Sequence, residues 1–289
     1  MTSNKTKRPE ITTSQRPKSK TVDVYDEYDQ VKSFQITGEL PLTIYVNKKE
    51  VVTLMTLGHY PESLVIGYLR NQGFVAELAD IESVQVDWDT NSAAVKSINN
   101  LNDFENKLTH RVVTSGCGQG TTFGGIWDDL KDKNLQTKKL KQSSIYKILK
   151  LLHDKNEIYR KSGAVHGCAI CDENNIIDFI EDVGRHNAVD AIAGNMWLND
   201  INSKNKIFYT TGRLTSEMVI KVAQMNISYL ISRSGITEMG LNVAKETGVT
   251  LIGRAKGRHF LVYHGHGNIV YDKKPDPRPE GSPDIWKRR

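Results

Sequence analysis

Between Lys206 and Ile252 three short β-prone runs, Lys206–Tyr209, Ser228–Ile231 and Val249–Ile252, alternate with two helical stretches, Ser216–Met225 and Thr237–Glu246. Gly248 stands where the second helix should stop. Strands separated by single helices cannot pair as hairpins. They lie side by side in parallel, with the helices crossing over one face. The chain is therefore expected to build an α/β unit around a parallel sheet. Upstream, Ile145, Ile148, Leu149 and Leu152 mark an amphipathic helix with Ser143 or Ser144 as its cap. Runs 164–171 and 176–180 flank Asp172-Glu173-Asn174-Asn175 as a hairpin, and a helix follows from about Asn187. His259–Tyr263 and Asn268–Tyr271 read as two closing strands.

The first part of the chain is mixed. Leu42–Val46 and Val51–Met55 surround Asn47-Lys48-Lys49, and Val84–Trp88 and Ala93–Ser97 surround Asp89-Thr90-Asn91. Both read as hairpins. Pro61 opens a helix carrying Leu64, Val65, Tyr68 and Leu69, and Gly73 ends it. Six of eight prolines lie near the two ends, which marks those ends as tails. The expected organisation is a disordered basic tail over 1–21 and a small α+β N-terminal domain over 22–113. A glycine-rich linker over 114–141, an α/β ligand-binding domain over 142–272 and a Pro-rich tail over 273–289 follow.

The formal net charge of +5 is matched by the first twenty residues alone, through Lys5, Lys7, Arg8, Arg16, Lys18 and Lys20 less Glu10. The excess belongs to a tail rather than a folded face, so nucleic acid is not an expected partner. No stretch approaches the ~18 apolar residues of a membrane span. The polar N-terminus has no apolar signal core, and three cysteines in 289 residues make no disulfide framework. A cytoplasmic protein with reduced thiols is expected.

Ligands of open α/β sheets bind at the carboxyl ends of the strands. Four successive strand ends here carry an arginine beside Gly, Ser or Thr: Gly184-Arg185, Gly212-Arg213, Ser232-Arg233-Ser234 and Gly253-Arg254-Ala255-Lys256-Gly257-Arg258-His259. The planar guanidinium suits phosphate oxygens, and small neighbours free backbone N–H groups for an anion. One such loop would be an ordinary solvated surface. Four along one edge predict a large anionic ligand such as a nucleotide or a pyrophosphate-bearing molecule.

Cys117 lies in Thr114-Ser115-Gly116-Cys117-Gly118-Gln119-Gly120. Glycines on both sides leave the thiol unscreened, and the setting reads as either a reactive thiol or an inert loop cysteine. Cys168-Ala169-Ile170-Cys171 after His166 raises the possibility of zinc. However, a zinc deaminase needs H-x-E and P-C-x-x-C, and both the glutamate and the proline are missing. Inside a strand the two cysteines would also face opposite ways. No metal site is expected. The dinucleotide fingerprint G-x-G-x-x-G after a first strand is absent as well.

Together these residues resemble a known family. Gly163-Ala164-Val165-His166, Glu181 through Asp190, Thr211-Gly212-Arg213, Ser216-Glu217-Met218-Val219, Ser232-Arg233-Ser234 and, upstream, Pro41 through Asn47 are similar to the formate dehydrogenase accessory sulfurtransferases, the FdhD/NarQ family. The resemblance runs from about residue 34 to 271. It implies a cytidine-deaminase-like three-layer C-terminal domain, a homodimer, and a sulfurtransferase whose persulfide forms on Cys117. Sulfur would pass from a cysteine desulfurase to the molybdenum (or tungsten) bis-pterin guanine dinucleotide needed by the formate dehydrogenase catalytic subunit. That substrate, Mo-bis(molybdopterin guanine dinucleotide), would be held by Arg254, Ala255, Lys256, Gly257, Arg258 and His259, assisted by Arg185, Arg213 and Arg233. Many members have Cys-Gly-x-Cys at the loop, whereas Gly120 stands at the last position here. A persulfide carrier needs only one cysteine. The alternative function is a chaperone that binds the cofactor without moving sulfur, and the two differ only at Cys117.

Overall fold

The computed structural model describes residues 8–98, 130, 135 and 138–275. A five-stranded sheet occupies the first part: β1 (Glu10–Ile11), β4 (Leu40–Val46), β5 (Lys49–Thr56), β6 (Ile81–Asp87) and β7 (Ser92–Ser97), in the order β1-β6-β7-β4-β5. Asn47 and Lys48 both take left-handed backbone, at φ 47 and 70, and close the β4–β5 hairpin as a tight turn. Leu42, Ile44 and Val46 alternate into the core. Helix α1 (Pro61–Asn71) starts at its proline, and Gly73 follows at φ 69.

The second sheet has the order β10-β9-β11-β12-β13-β14. Its strands are β9 (His166–Cys171), β10 (Ile176–Asp182), β11 (Ile207–Thr210), β12 (Tyr229–Ser232), β13 (Thr250–Lys256) and β14 (His259–His264). β11, β12 and β13 are parallel as expected. The sheet as a whole is mixed, because β9 runs antiparallel to both β10 and β11, and β14 runs antiparallel to β13. The Asp172 carboxylate accepts the N–H groups of Asn174 and Asn175 and so closes the β9–β10 hairpin. β10 through β13 still share one direction, so their carboxyl ends lie along one edge.

Helices α4 (Arg185–Leu198), α5 (Ser216–Gln224) and α6 (Glu238–Thr247) cover one face of this sheet. Helix α2 (Gln142–Lys155) covers the other, and α3 (Glu157–Ser162) follows it. Cys168, Ile170, Phe208 and Leu230 face α4 and α5, whereas Ala169, Cys171, Tyr209 and Ile231 face α2. The core on the α4 side continues through α1 into the first sheet. It is closed by a contact between α1 and α4 at two glycines. A β-carbon on Gly67 would lie 1.7 Å from the Asp190 carbonyl oxygen, and one on Gly194 would lie 1.9 Å from that of Ser63. The two helices touch backbone to backbone.

Four expectations need correction. The basic segment is not a free tail from residue 8 on. β1 pairs with β6, the Glu62 carboxylate accepts Thr12 Oγ1–H and Ser14 N–H, and Trp88 donates to the Ser14 carbonyl. Residues 19–37 then form a hairpin of β2 (Ser19–Tyr25) and β3 (Val31–Thr37), turned by the Asp26 carboxylate. α2 begins at Gln142 with no side-chain cap. Asp272 instead accepts from Ser143 N–H and Oγ–H at 2.9 and 2.6 Å. Finally, β15 (Ile269–Val270) does not close the main sheet. It pairs in parallel with β8 (Leu140–Lys141), the end of the expected linker. Leu130, also from that linker, is buried in the core. Among the described residues no helix is long and apolar enough to cross a membrane.

Candidate functional site

The four arginine-bearing strand ends lie on one edge but divide between the two faces of the sheet. On the α2 face a groove of about 800 Å³ runs between α2 and the β13–β14 turn. Lys147 and Lys150 line it from the helix, Arg233 from the loop after β12, Lys256 and Arg258 from the turn, and Lys273 from the C-terminal side. Tyr209, Ala255 and Gly257 complete this part of the wall, and among the described residues no carboxylate contributes to it. A concave surface lined by cations of one sign focuses its field on an incoming anion.

Local backbone chemistry builds the turn. Arg254 takes φ 51, a left-handed conformation that costs a residue with a β-carbon about 1–2 kcal/mol. Its N–H donates to the Ser234 carbonyl at 2.8 Å, which holds it there. The register between β13 and β14 shifts between Gly253 and Lys256. Through this bulge Ala255 is buried while Lys256, Gly257 and Arg258 are exposed. Gly257, at φ 59, makes the turn itself. Arg233 is steadied by stacking over the Tyr159 ring at 5.5 Å.

Of the predicted ligand-binding residues, Arg233, Ala255, Lys256, Gly257 and Arg258 therefore line one groove. His259 lines an adjoining hollow. Arg254 is exposed on the bulge, outside the groove lining. Arg185 and Arg213 belong to the α4 face, beside His166 and Thr211. Burial, with the Arg185 and Arg213 guanidiniums, holds the His166 imidazole below its ordinary value. Arg185 is buried, and its aliphatic stem fills the space that Gly212 leaves open, where a β-carbon would meet Arg185 Cδ at 2.8 Å.

Behind Arg185 lies a buried polar cluster. Lys221 Nζ is 2.8 Å from Asp190 Oδ2 and 3.8 Å from Glu217 Oε1, and Asn71 Nδ2 donates to Asp190 Oδ1 at 2.7 Å. His186 Nε2 lies 3.4 Å from Glu217 Oε2. Burial, then the positive charges of Lys221 and Arg185, drive the His186 imidazole down to about 2, so the ring is neutral. Burial raises Asp190 despite its ammonium partner. Asp182 accepts from Thr56 Oγ1, Leu57 N–H, Gly184 N–H and Asn187 Nδ2, tying the end of β5 to the start of α4. Glu181 accepts the Ile158 and Tyr159 N–H groups at the start of α3.

Cys168 and Cys171 are fully buried on opposite faces of the sheet, so they cannot hold one metal ion between them. Burial pushes both thiols up to about 12. Cys117 lies outside the described residues.

A family model described as the FdhD/NarQ family matches residues 37–270. The chain belongs to the FdhD/NarQ family. Among its relatives, the sulfur carrier protein FdhD of Listeria monocytogenes is 32% identical over 247 residues, 84% of this chain and 94% of the relative. That of Bacillus pumilus is 31% identical over 240 residues, covering 83% and 92% of the two chains. A crystal structure from Desulfotalea psychrophila, described as a formate dehydrogenase accessory protein, superposes with a TM-score of 0.69 at 25% identity. It covers 88% of this chain and all of that one. The family match begins at residue 37, so the β2–β3 hairpin precedes almost all of it. Sequence reasoning missed that hairpin, although its alternating Val22 and Val24 were a usable signal.

Proposed function

We propose that this chain is a sulfurtransferase that carries sulfur from a cysteine desulfurase to Mo-bis(molybdopterin guanine dinucleotide), or its tungsten counterpart, for formate dehydrogenase. Cys117 is the carrier. Its thiolate attacks the terminal sulfur of the donor's persulfide and forms a persulfide of its own, and the donor's cysteine leaves as a thiolate. The substrate carries two guanine dinucleotide units and therefore two pyrophosphates. The observation that carries its binding is the α2-side groove, whose described lining bears several cations, all but Lys273 within the family match, and no carboxylate. The burial of Cys168 and Cys171 supports Cys117 as the carrier, since neither of those thiols is exposed to a donor. The mixed sheet between α2 and the α4–α6 layer supports the cytidine-deaminase-like reading of the larger unit. The working form is a cytoplasmic homodimer.

The test is intact-protein mass spectrometry after incubation with a cysteine desulfurase and cysteine. A gain of roughly 32 Da (one sulfur atom) in the wild type, absent from Cys117→Ser, is the expected result. No gain in the wild type leaves binding of the substrate as the function. A gain that persists in Cys117→Ser removes Cys117 as the carrier.

A further inference from the structure

The β2–β3 hairpin is built inside out. Its unbroken register sets Lys20 opposite Ile36, Val22 opposite Phe34 and Val24 opposite Lys32. Side chains alternate along a strand, so these six share one face. Ser19, Thr21, Asp23, Ser33, Gln35 and Thr37 lie on the other, with Tyr25 and Val31 only at its tip. Ser33 Oγ–H donates to Asp23 Oδ1 across that polar face at 2.9 Å. The polar face is the one turned toward the body, since Ser19 and Gln35 line a cavity of about 470 Å³ with Glu157, Lys161 and Ile177. The apolar face is turned away. Phe34 is 51% and Ile36 45% exposed. Among the described residues neither they nor Val22 and Val24 join a hydrophobic core. A two-stranded hairpin is marginal without a second layer on its apolar face.

We propose that this face is a homodimer interface, covered by the same face of a second copy with the two hairpins antiparallel. The proposal rests on the homodimer reading above and names its surface. Charge along the hairpin selects both the partner and the orientation. The turn is acidic: Asp26 is ion-paired with Lys32 at 2.5 Å, which leaves Glu27 and Asp29 in excess. The open end is basic, where Arg16, Lys18 and Lys20 outnumber Glu39. Lys18 and Asp26 stand four residues to either side of Val22. A two-fold axis past Val22 and Phe34, perpendicular to the strands, therefore brings the basic end of each copy to the acidic turn of the other. Parallel hairpins would set turn against turn, and like charges would repel. A patch that complements itself when reversed is what an isologous contact requires. Each face is seven residues long and two strands wide, roughly 24 Å by 10 Å. That is less than a standard interface, so a Kd on the order of micromolar is expected.

The experiment is sedimentation velocity of the full chain over roughly 1–100 μM, with circular dichroism melting of each variant. The wild type should pass from monomer to dimer across this range. Phe34→Asp sets two carboxylates against each other at the axis and should weaken the dimer about a hundredfold or more, leaving monomer throughout. Because Phe34 packs in no core, the variant should melt within about 2 °C of wild type. Thr21→Asp, exposed on the polar face, should keep the dimer. Lys18→Glu should weaken it about tenfold, and adding Glu27→Lys should restore it. A dimer that survives Phe34→Asp overturns the hairpin interface and leaves the homodimer reading standing. Equal loss of the dimer in Thr21→Asp also overturns it, because the effect would then not belong to one face. An unchanged dimer in Lys18→Glu overturns the antiparallel arrangement. A wild type that stays monomeric removes both the interface and the homodimer reading, and leaves the face to a different protein.

Discussion

Replacing Gly67 with alanine should damage this fold more than any other single methyl group added to a described glycine. The new β-carbon would stand 1.7 Å from the Asp190 carbonyl oxygen and 2.7 Å from the Gly194 nitrogen. A carbon and a carbonyl oxygen rest about 3.3 Å apart, so α1 and α4 must separate by roughly 1.6 Å. Where side chains can give way, overpacking costs about 1–3 kcal/mol. Here the obstacle is the backbone of another helix, so the upper end applies. The same shift draws Asn71 Nδ2 away from the buried Asp190 carboxylate, a contact worth about 1.5–3 kcal/mol. The sum is about 4–6 kcal/mol. In a chain of this size each kcal/mol moves the melting temperature by about 2–4 °C, so a drop of roughly 10–20 °C is expected. Gly163→Ala is the control. Gly163 ends α3, at φ 71, and nothing lies within 4 Å of the added carbon, so the left-handed backbone alone costs about 1–2 kcal/mol. The assay is thermal and urea unfolding followed by circular dichroism. A Gly67→Ala protein that melts within about 4 °C of wild type, or no lower than Gly163→Ala, would refute the backbone contact.

Two further outcomes follow from buried groups. His186 has an ordinary value of 6.5 and is held near 2 in the fold, so below pH 6.5 the unfolded chain takes up a proton that the folded one refuses. Its contribution is therefore present above pH 6.5 and declines by up to about 1.4 kcal/mol per pH unit as the pH falls from there toward 2. Urea midpoints of wild type and His186→Leu between pH 7 and 5 should converge as the pH drops. Parallel curves would show that the imidazole is not shielded from protonation. Cys168 and Cys171, held near 12, should resist iodoacetamide at pH 8 in the native protein and react once it is unfolded in urea. Peptide mapping that finds either alkylated in the native state would contradict their burial.

Much of this architecture was legible in short windows of sequence. The alternation from Lys206 to Ile252 announced parallel strands with crossover helices. Pro61, Gly73 and Gly248 marked helix ends, and Asn47-Lys48 marked a turn. Reading the residues after each strand also found the arginine loops, because β10 through β13 do point the same way. These features are local. A helix period, a cap or a turn depends on a few neighbouring residues and their allowed backbone angles.

Tertiary structure decided what those windows cannot encode. β9 inserted antiparallel between β10 and β11, α2 covered one face of the sheet, and the arginines were thereby divided, with Arg233 and Arg258 on one side and Arg185 and Arg213 on the other. Asp272 displaced Ser143 as the support for the first turn of α2, from 129 residues away. The basic segment after residue 8 became ordered through Glu62 and β6, which its own composition does not predict. Gly67 and Gly194, unremarkable in sequence, turned out to set the distance between two helices. In each case the decisive contact joins residues far apart in the chain. Periodicity shows that an element has two faces, and only packing determines what each face meets.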